Sequence, residues 1–291
     1  MPTLLDFRRR IRSVKNTQQI TRAMKFVAAA RLRRAQEAAL AARPYASELA
    51  RVLRSTMARI ESPQHPLLAK RPEERVLVIV LSGERGLAGA FNANILKKAA
   101  DFYKSKAGKQ VSVIPIGKKG RDSMRRAGMN FAGEYVNVLS HVDYGIAREI
   151  STLVTTLYSE DKVDAVYIVF SEFKSVISAD LRVEKLLPVE GISSGEESAA
   201  EAGSSQIDYI YEQPEEQLLD RLLPRYVETQ ILRSMLESCA AEHAARMTAM
   251  EAATKNAGEV IQGLTLHMNK VRQAAITKEI IEIVSGASST A

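Results

Sequence analysis

Two long stretches, one at each end of this chain, repeat small or apolar residues at alternating steps of three and four positions. In the first stretch the repeat falls on Ala28, Leu32, Ala35, Ala39, Ala42, Ala46, Leu49 and Leu53. In the second it falls on Leu236, Ala240, His243, Met247, Met250, Thr254, Ala257, Ile261, Leu264, Met268, Val271 and Ala275. A period of about 3.5 residues keeps one narrow seam facing a partner helix and imposes a left-handed supercoil. The two ends of the chain are therefore predicted to wind around each other.

A different pattern occupies the segment between the two repeats. Short apolar runs rich in β-branched residues alternate there with helical patterns, which predicts a mainly parallel sheet with right-handed crossovers. Strands are predicted at 76–81, 111–116 and 165–170, with a further strand at 135–139 and an antiparallel edge hairpin at 176–189.

The chain is expected to divide into four parts. These are an N-terminal coiled-coil helix at 1–60, a central α/β domain at 75–190, an acidic Gly/Ser-rich loop at 191–214 and a C-terminal coiled-coil helix at 215–286. Pro44 is expected to kink or break the first helix, because proline lacks a backbone donor and clashes with the preceding turn.

Positive charge is concentrated in the first sixty residues. They hold fourteen Lys or Arg against three acids, a net charge of +11, whereas the remainder carries −4. A dense basic helix fits nucleic acid, an anionic membrane surface or an acidic protein partner, and it is also compatible with a solvated face that has no partner. No stretch approaches the roughly 18 consecutive apolar residues that a membrane span needs.

The segment most typical of an enzyme is the glycine-rich stretch at 82–89, between a predicted strand and a predicted helix. Backbone amides in that position can bind a phosphate. The stretch matches neither common nucleotide-binding motif and lacks the lysine that a phosphate would require, so a tight turn is favoured over an enzymatic site. The four histidines show no metal-ligand spacing. No catalytic, cofactor-binding or metal-binding residue is assigned.

The end of the second repeat is unusually apolar. From Ala274 to Val284 the apolar residues spread around more of the helix than a two-stranded seam requires. An apolar terminus of this kind indicates a socket in a partner, and the alternative is packing on the globular part of the same chain.

Several segments resemble one family. They are IRSVKNTQQITRAMKFVAA at 11–29, LSGERGLAG at 81–89, LPRYV at 223–227, EHAARMTAMEAATKNA at 242–257 and the ending at 269–286. Together they resemble the gamma subunit of F-type, proton-translocating ATP synthases along essentially the whole chain. The resemblance implies a mixed α/β fold, in which the terminal helices form a long antiparallel coiled coil and the centre is a Rossmann-like α/β domain.

The same resemblance implies a non-catalytic rotor shaft that couples ion flow to ATP synthesis. Its partners would be the alpha and beta subunits of the catalytic hexamer, the epsilon subunit and the membrane ring of c subunits, with no cofactor, nucleic acid or small-molecule substrate. Arg272, Gln273 and Thr277 match a contact with a beta-subunit loop, and Met24 with Lys25 match the region facing the beta-subunit lever. Ile276, Ile280, Ile283 and Val284 match the bearing at the tip of the shaft.

Two departures narrow the expected source. Chloroplast members carry an extra segment with a cysteine pair, whereas Cys239 is the only cysteine here. With no evident transit peptide, a bacterial protein is expected, peripheral on the cytoplasmic side of the cell membrane. A basic coiled-coil protein that binds nucleic acid is the alternative function, motivated by the charge of the first helix.

Overall fold

The computed structural model describes residues 3–60, 65–176, 178–189 and 214–289. Its helices are α1 (Leu4–Arg59), α2 (Phe91–Ser105), α3 (Lys118–Arg126), α4 (Tyr144–Ser159) and α5 (Glu215–Ser289). Its strands are β1 (Arg75–Leu81), β2 (Gln110–Ile116), β3 (Asn130–Phe131), β4 (Ala165–Phe173) and β5 (Ala179–Leu187). The acidic loop predicted at 191–214 lies outside the described residues except for Pro214.

The chain forms two compact units, and the two long helices contribute to both. One unit consists of residues 1–29 and 246–291, and the other of residues 30–245. The first is a pair of helical segments. The second contains the sheet, the shorter helices and the remaining parts of α1 and α5. The four-part division proposed from the sequence stays a prediction.

The sheet of the second unit has the predicted parallel character. Its strand order is β3-β2-β1-β4-β5, and the first four strands run parallel. β5 pairs with β4 in antiparallel fashion, which confirms the edge hairpin. The mixed α/β fold class is therefore confirmed.

Side chains of β1 alternate between two hydrophobic layers, as the two-residue period of a strand requires. Leu77, Ile79 and Leu81 face a cluster that includes residues of α1, α4 and α5. Val76, Val78 and Val80 face a second cluster formed largely with α2 and α3. Because both faces are covered, the strand reads as a continuous apolar run.

The prediction of a strand at 135–139 is wrong. Tyr135 forms only an isolated bridge with Ile116, and the strand beside β2 is instead the two-residue β3 at Asn130–Phe131. Two residues are too short to produce an alternation pattern, so the sequence contains no signal for β3.

Pro44 does not break α1, which continues through it. The carbonyl that loses its backbone donor belongs to Leu40, four residues earlier, and both residues are exposed. Water can therefore bind this carbonyl, which reduces the cost of proline inside the helix.

The glycine-rich stretch forms a tight turn that is held by the chain's own hydrogen bonds. The Gly83 amide donates to Asn92 Oδ1 at 2.8 Å, and Ser82 Oγ accepts from the Gly120 amide at 2.7 Å. Gly117 has a φ of +101°, and a Cβ there would lie 1.9 Å from the Ser82 carbonyl oxygen. Only glycine fits where the backbone of residue 117 approaches Ser82 this closely, so the geometry supports a tight turn rather than a phosphate-binding loop.

Among the described residues, none of the helices combines the length and the apolar composition needed to cross a membrane.

Candidate functional site

The helical unit formed by residues 1–29 and 246–291 is an antiparallel pair. The Phe7 and His267 rings lie with their centroids 5.1 Å apart. Further along α1, Thr21 meets Thr254 and Lys25 meets Glu251. Ascending positions on α1 thus meet descending positions on α5, which gives the antiparallel arrangement.

The seam of α1 extends further toward the N-terminus than the sequence repeat suggested. Phe7 is buried, and the less exposed positions then recur in the same alternation of steps up to the buried Ala28. They are Ile11, Val14, Gln18, Thr21 and Lys25. The alternation itself could have revealed this extension, but three of its members are polar and hide it.

These polar members form a short hydrogen-bonded stretch inside the seam. Thr21 Oγ1 and Thr254 Oγ1 are 2.8 Å apart, and Gln18 Nε2 donates to the Thr254 carbonyl oxygen at 3.3 Å. Gly258 makes room for Gln18, because a Cβ at that glycine would lie 3.1 Å from Nε2. Polar seam residues of this kind specify helix register at some cost in stability.

Lys25, predicted to face a partner, is paired within the chain. Its Nζ lies 2.5 Å from Glu251 Oε1. Glu251 is well exposed, and exposed ion pairs contribute only about 0–1 kcal/mol, so another acidic group can replace it at little cost. Met24, beside Lys25, is half-buried.

The C-terminal part of α5 extends past the beginning of α1. His267 lies opposite Phe7, and α1 begins at Leu4, so the residues of α5 beyond about 271 face no part of α1. We call residues 272–289 the free end. Arg272, Gln273 and Thr277 all lie on it and are exposed.

The free end exposes large apolar side chains. Ile276, Ile280, Ile283 and Val284 are 48%, 55%, 71% and 62% exposed, and Ile281, which the sequence reasoning left out, is 60% exposed. Steps of three and four residues bring Gln273, Ile276, Ile280 and Ile283 onto one helix face. None of the described residues of the same helical unit covers these side chains.

The predicted site residues form two zones rather than one. Lys25 lies opposite Glu251, and Arg272 follows Glu251 by 21 positions, or about 30 Å along a helix. Met24 and Lys25 therefore belong to the paired part of the unit, whereas the other predicted residues belong to the free end.

The face of the free end that continues the seam carries charged side chains, unlike the face that carries the isoleucines. Lys278 Nζ lies 3.5 Å from Glu282 Oε1, in an exposed pair at adjacent turns. Both residues continue the spacing of Val271 and Ala275. The isoleucine face is thus set apart from a charged face, and it is the part of the free end suited to an apolar partner.

Comparisons with known proteins identify the family of this chain. Residues 3–290 match the family model described as ATP synthase. The chain is 48% identical over 292 residues to the ATP synthase gamma chain of Solibacter usitatus, and 99% of each chain is covered. It is 46% identical over 288 residues to the ATP synthase gamma chain of Pelotomaculum thermopropionicum, again with 99% of each covered.

Solved structures show the same fold at lower identity. A chain of the Euglena gracilis mitochondrial ATP synthase, solved with OSCP, F1 and the c-ring, has a TM-score of 0.68 at 19% identity, with 99% of this chain and 94% of that chain covered. A chain of the Tetrahymena thermophila central stalk and c-ring has a TM-score of 0.60 at 21% identity, with 80% and 99% covered. The full-length relatives and the family model establish that this chain belongs to the gamma chain family of ATP synthase.

Proposed function

We propose that this chain is the central rotor shaft of an F-type ATP synthase and carries torque without performing chemistry. Its partners are the alpha and beta subunits of the catalytic hexamer, the epsilon subunit and the c-subunit ring. Catalysis then resides in the surrounding subunits. The names of the relatives support this proposal, as do the similar chains found in a mitochondrial rotor and in a central stalk with a c-ring.

The observation that carries the proposal is the free end of α5. A helix that exposes four isoleucines and a valine after its own partner has ended requires another surface to cover them. A ring of subunits can supply that surface as an apolar bearing. Apolar contacts are not directional, so they can hold the axis of a helix while allowing it to turn.

Coupling requires contacts that differ from one catalytic subunit to the next. A shaft made of two unequal helices presents a different face to each beta subunit at any moment. A ligand or partner shifts a conformational equilibrium only through its different affinity for the two states, so these unequal contacts can drive each site through its affinity changes.

Two groups of residues are proposed for the polar contacts. Arg272, Gln273 and Thr277 would meet a beta-subunit loop, since all three are exposed on the free end. Met24 and Lys25 would face the acidic lever of a beta subunit. Lys25 would exchange Glu251 for a lever carboxylate, and the weakness of an exposed pair makes this exchange inexpensive.

The proposed location is the cytoplasmic side of a bacterial cell membrane, with the chain held peripherally by its partners. The relatives from Solibacter, Pelotomaculum and Chlorobaculum support a bacterial source. Protons are the proposed coupling ion.

Reconstitution tests the proposal directly. Purified alpha and beta subunits are mixed with and without this chain, and both assembly and ATP hydrolysis are measured. The chain is expected to join the hexamer in a ratio of one per complex and to support rotation of a bead attached to residues 91–105. A chain that does not join the hexamer would refute the proposal.

Shortening the shaft tests the role of the free end. Deletion of residues 274–291 is expected to leave a folded chain that still assembles, but with less ATP-driven proton pumping per ATP hydrolysed. A narrower variant replaces Ile276, Ile280 and Ile283 with serine, and its matched control replaces Lys278 and Glu282 with alanine on the charged face. Equal pumping by the two variants would contradict the bearing.

Replacement of Arg272 by alanine tests the polar contact. The helix should stay intact because the side chain is exposed, while ATP synthesis should slow. Synthesis at the parental rate would exclude the assigned contact.

The relatives favour the rotor over the nucleic-acid alternative, which the charge of α1 had left open. The alternative makes a distinct prediction: affinity for duplex DNA that falls steeply with the logarithm of salt concentration. Binding with that salt dependence by the assembled complex would return the alternative to consideration.

A further inference from the structure

A buried glutamate on α5 connects three elements of the unit formed by residues 30–245. Glu237 is 2% exposed. Its Oε2 accepts a hydrogen bond from the Phe173 amide of β4 at 3.1 Å, and its Oε1 accepts one from Arg43 Nη2 of α1 at 3.2 Å. One carboxylate thus ties both long helices to the sheet.

The next residue on α5 makes a parallel contact. Ser238 is fully buried, and its Oγ accepts from the Ser171 amide at 3.2 Å. The last residue of β4 in register with β1 is Val169, whereas β4 continues to Phe173. Ser171 and Phe173 therefore lie beyond the part of β4 that pairs with β1. Their backbone amides donate instead to the side chains of Ser238 and Glu237 on α5.

An ion pair completes the set at the rim. Arg233 Nη2, one turn before Glu237, lies 3.6 Å from Glu172 Oε1 on β4. We call these four contacts the polar joint: Arg43 with Glu237, Glu237 with Phe173, Ser238 with Ser171, and Arg233 with Glu172.

The polar joint restrains a motion that apolar packing does not. The same part of α5 also packs through Leu223, Val227 and Ile231, which are fully buried in a hydrophobic cluster, and Glu228 accepts a hydrogen bond from the Tyr144 hydroxyl of α4. Apolar contacts have no preferred direction, so a helix held only by them can roll or slide on a sheet. Hydrogen bonds are directional, and a buried charged group that leaves its partners is left unpaired.

We propose that Glu237 is a positioning residue that fixes the rotational angle of α5 and α1 on the sheet, and that torque passes between the sheet and the long helices through the polar joint. This inference rests on the proposed rotor function. It assigns a mechanical role to a residue that precedes the free end by 35 positions in the sequence. The expected consequence of weakening the joint is twist between the sheet and the helices instead of productive rotation.

Single-molecule rotation of the assembled complex tests this proposal. The bead is attached to residues 91–105, the hexamer is immobilised, and the variance of the bead angle during each pause is measured. Glu237→Leu removes two of the four contacts. If the contacts act as equal springs in parallel, the variance contributed by the joint rises about twofold.

Conservative variants provide a graded series. Glu237→Gln keeps an acceptor for the Phe173 amide but loses the charge that binds Arg43, so its variance should lie between those of the parent and Glu237→Leu. Arg43→Ala removes the same ion pair but leaves the buried Glu237 carboxylate without its cation, so it should melt earlier than Glu237→Gln, and its variance should also exceed that of the parent. Glu259→Leu, at an exposed position on the same helix, is the matched control and should leave the variance unchanged.

Thermal melting separates the mechanical role from a structural one. Variants that melt earlier but rotate with the parental variance would overturn the proposal, as would equal variance in Glu237→Gln and Glu237→Leu at a level matching the parent. If Glu237→Leu does not assemble, Arg43→Ala and Glu237→Gln decide the result alone. A parent chain that does not rotate would refute the rotor function itself, whereas rotation with unchanged variants would refute only the polar joint.

Discussion

Neutralising Glu73 is expected to destabilise the unit formed by residues 30–245 in a pH-dependent way. This carboxylate lies just before β1 and is surrounded by donors. Lys106 Nζ donates to it at 2.7 Å, the Tyr167 hydroxyl donates at 2.8 Å, and Lys185 Nζ lies 3.1 Å away. One acid thus links the residue that follows α2 with β4 and β5, and Glu73→Gln removes the charge while keeping the shape of the side chain.

The magnitude follows from the proton affinity of Glu73. Burial raises its pKa, but the hydrogen bonds from Lys106, Tyr167 and Lys185 outweigh burial and lower the pKa from 4.5 to about 2. At 1.36 kcal/mol for each tenfold change in affinity, the difference corresponds to about 3 kcal/mol. The side chain is 21% exposed, so solvent screening reduces this figure only in part.

The sign of the pH dependence is set by the lowered pKa. Folding favours the ionised form, so the stabilisation is fully present above pH 4.5, the pKa of the unfolded chain, and is lost as the pH falls toward 2. Glu73→Gln should therefore cost up to about 3 kcal/mol at pH 7, and the difference from the parent should shrink between pH 4.5 and pH 2.

Tyrosine fluorescence during urea unfolding reports on the stability of residues 30–245, where Glu73 lies. The chain has nine tyrosines and no tryptophan, and every tyrosine lies within residues 30–245. Glu74→Gln changes the exposed neighbouring acid and serves as the matched control. Equal stability of Glu73→Gln and the parent at pH 7, or a loss that does not diminish below pH 4.5, would refute the reasoning.

Two further substitutions test how the unit of residues 30–245 is built. Gly117→Ala should lower the free energy of unfolding by more than about 1 kcal/mol, because its Cβ would overlap the Ser82 carbonyl oxygen. Gly128→Ala, also at positive φ but facing open space, should lower it by less, and the urea midpoints of the two variants test this difference. Leu53→Ala, at a fully buried position of α1, should lower the free energy of unfolding by about 2–5 kcal/mol, as comparable core truncations do. Leu40→Ala, at an exposed position of the same helix, should change it by no more than about 0.5 kcal/mol. A similar loss from both variants would contradict the packing of α1.

The helix pair and the sheet could be predicted because each rests on a periodic pattern. A seam that repeats at 3.5 residues and strands covered on both faces leave a signal in every turn or strand residue. The free end could be anticipated for the same reason, since the apolar residues after Ala275 depart from the seam. β3 gave no such signal because it has only two residues.

The polar joint could not be predicted from the sequence, because the role of Glu237 depends on which distant residues the fold brings into contact with it. In the sequence Glu237 follows the seam position Leu236 and resembles an ordinary surface charge of a helix. Only the fold places it against Phe173 and Arg43, residues 64 and 194 positions away. Buried polar contacts between distant segments follow no period, so composition and spacing carry no information about them.

Two parts of α5 depart from the usual distribution of polar and apolar groups, and this difference explains how one helix can both hold the sheet and bind a partner. Within its first third α5 buries Glu237 and Ser238, whereas at the free end it exposes Ile280 and Ile283. The buried polar groups fix its position on the chain's own sheet. The exposed isoleucines contribute little to the stability of the isolated chain, but burying each fully would stabilise a complex by about 1.5–3 kcal/mol. Substitutions at the free end should therefore weaken the binding of the chain to the hexamer without preventing assembly and with almost no change in melting temperature, whereas substitutions in the polar joint should lower the melting temperature.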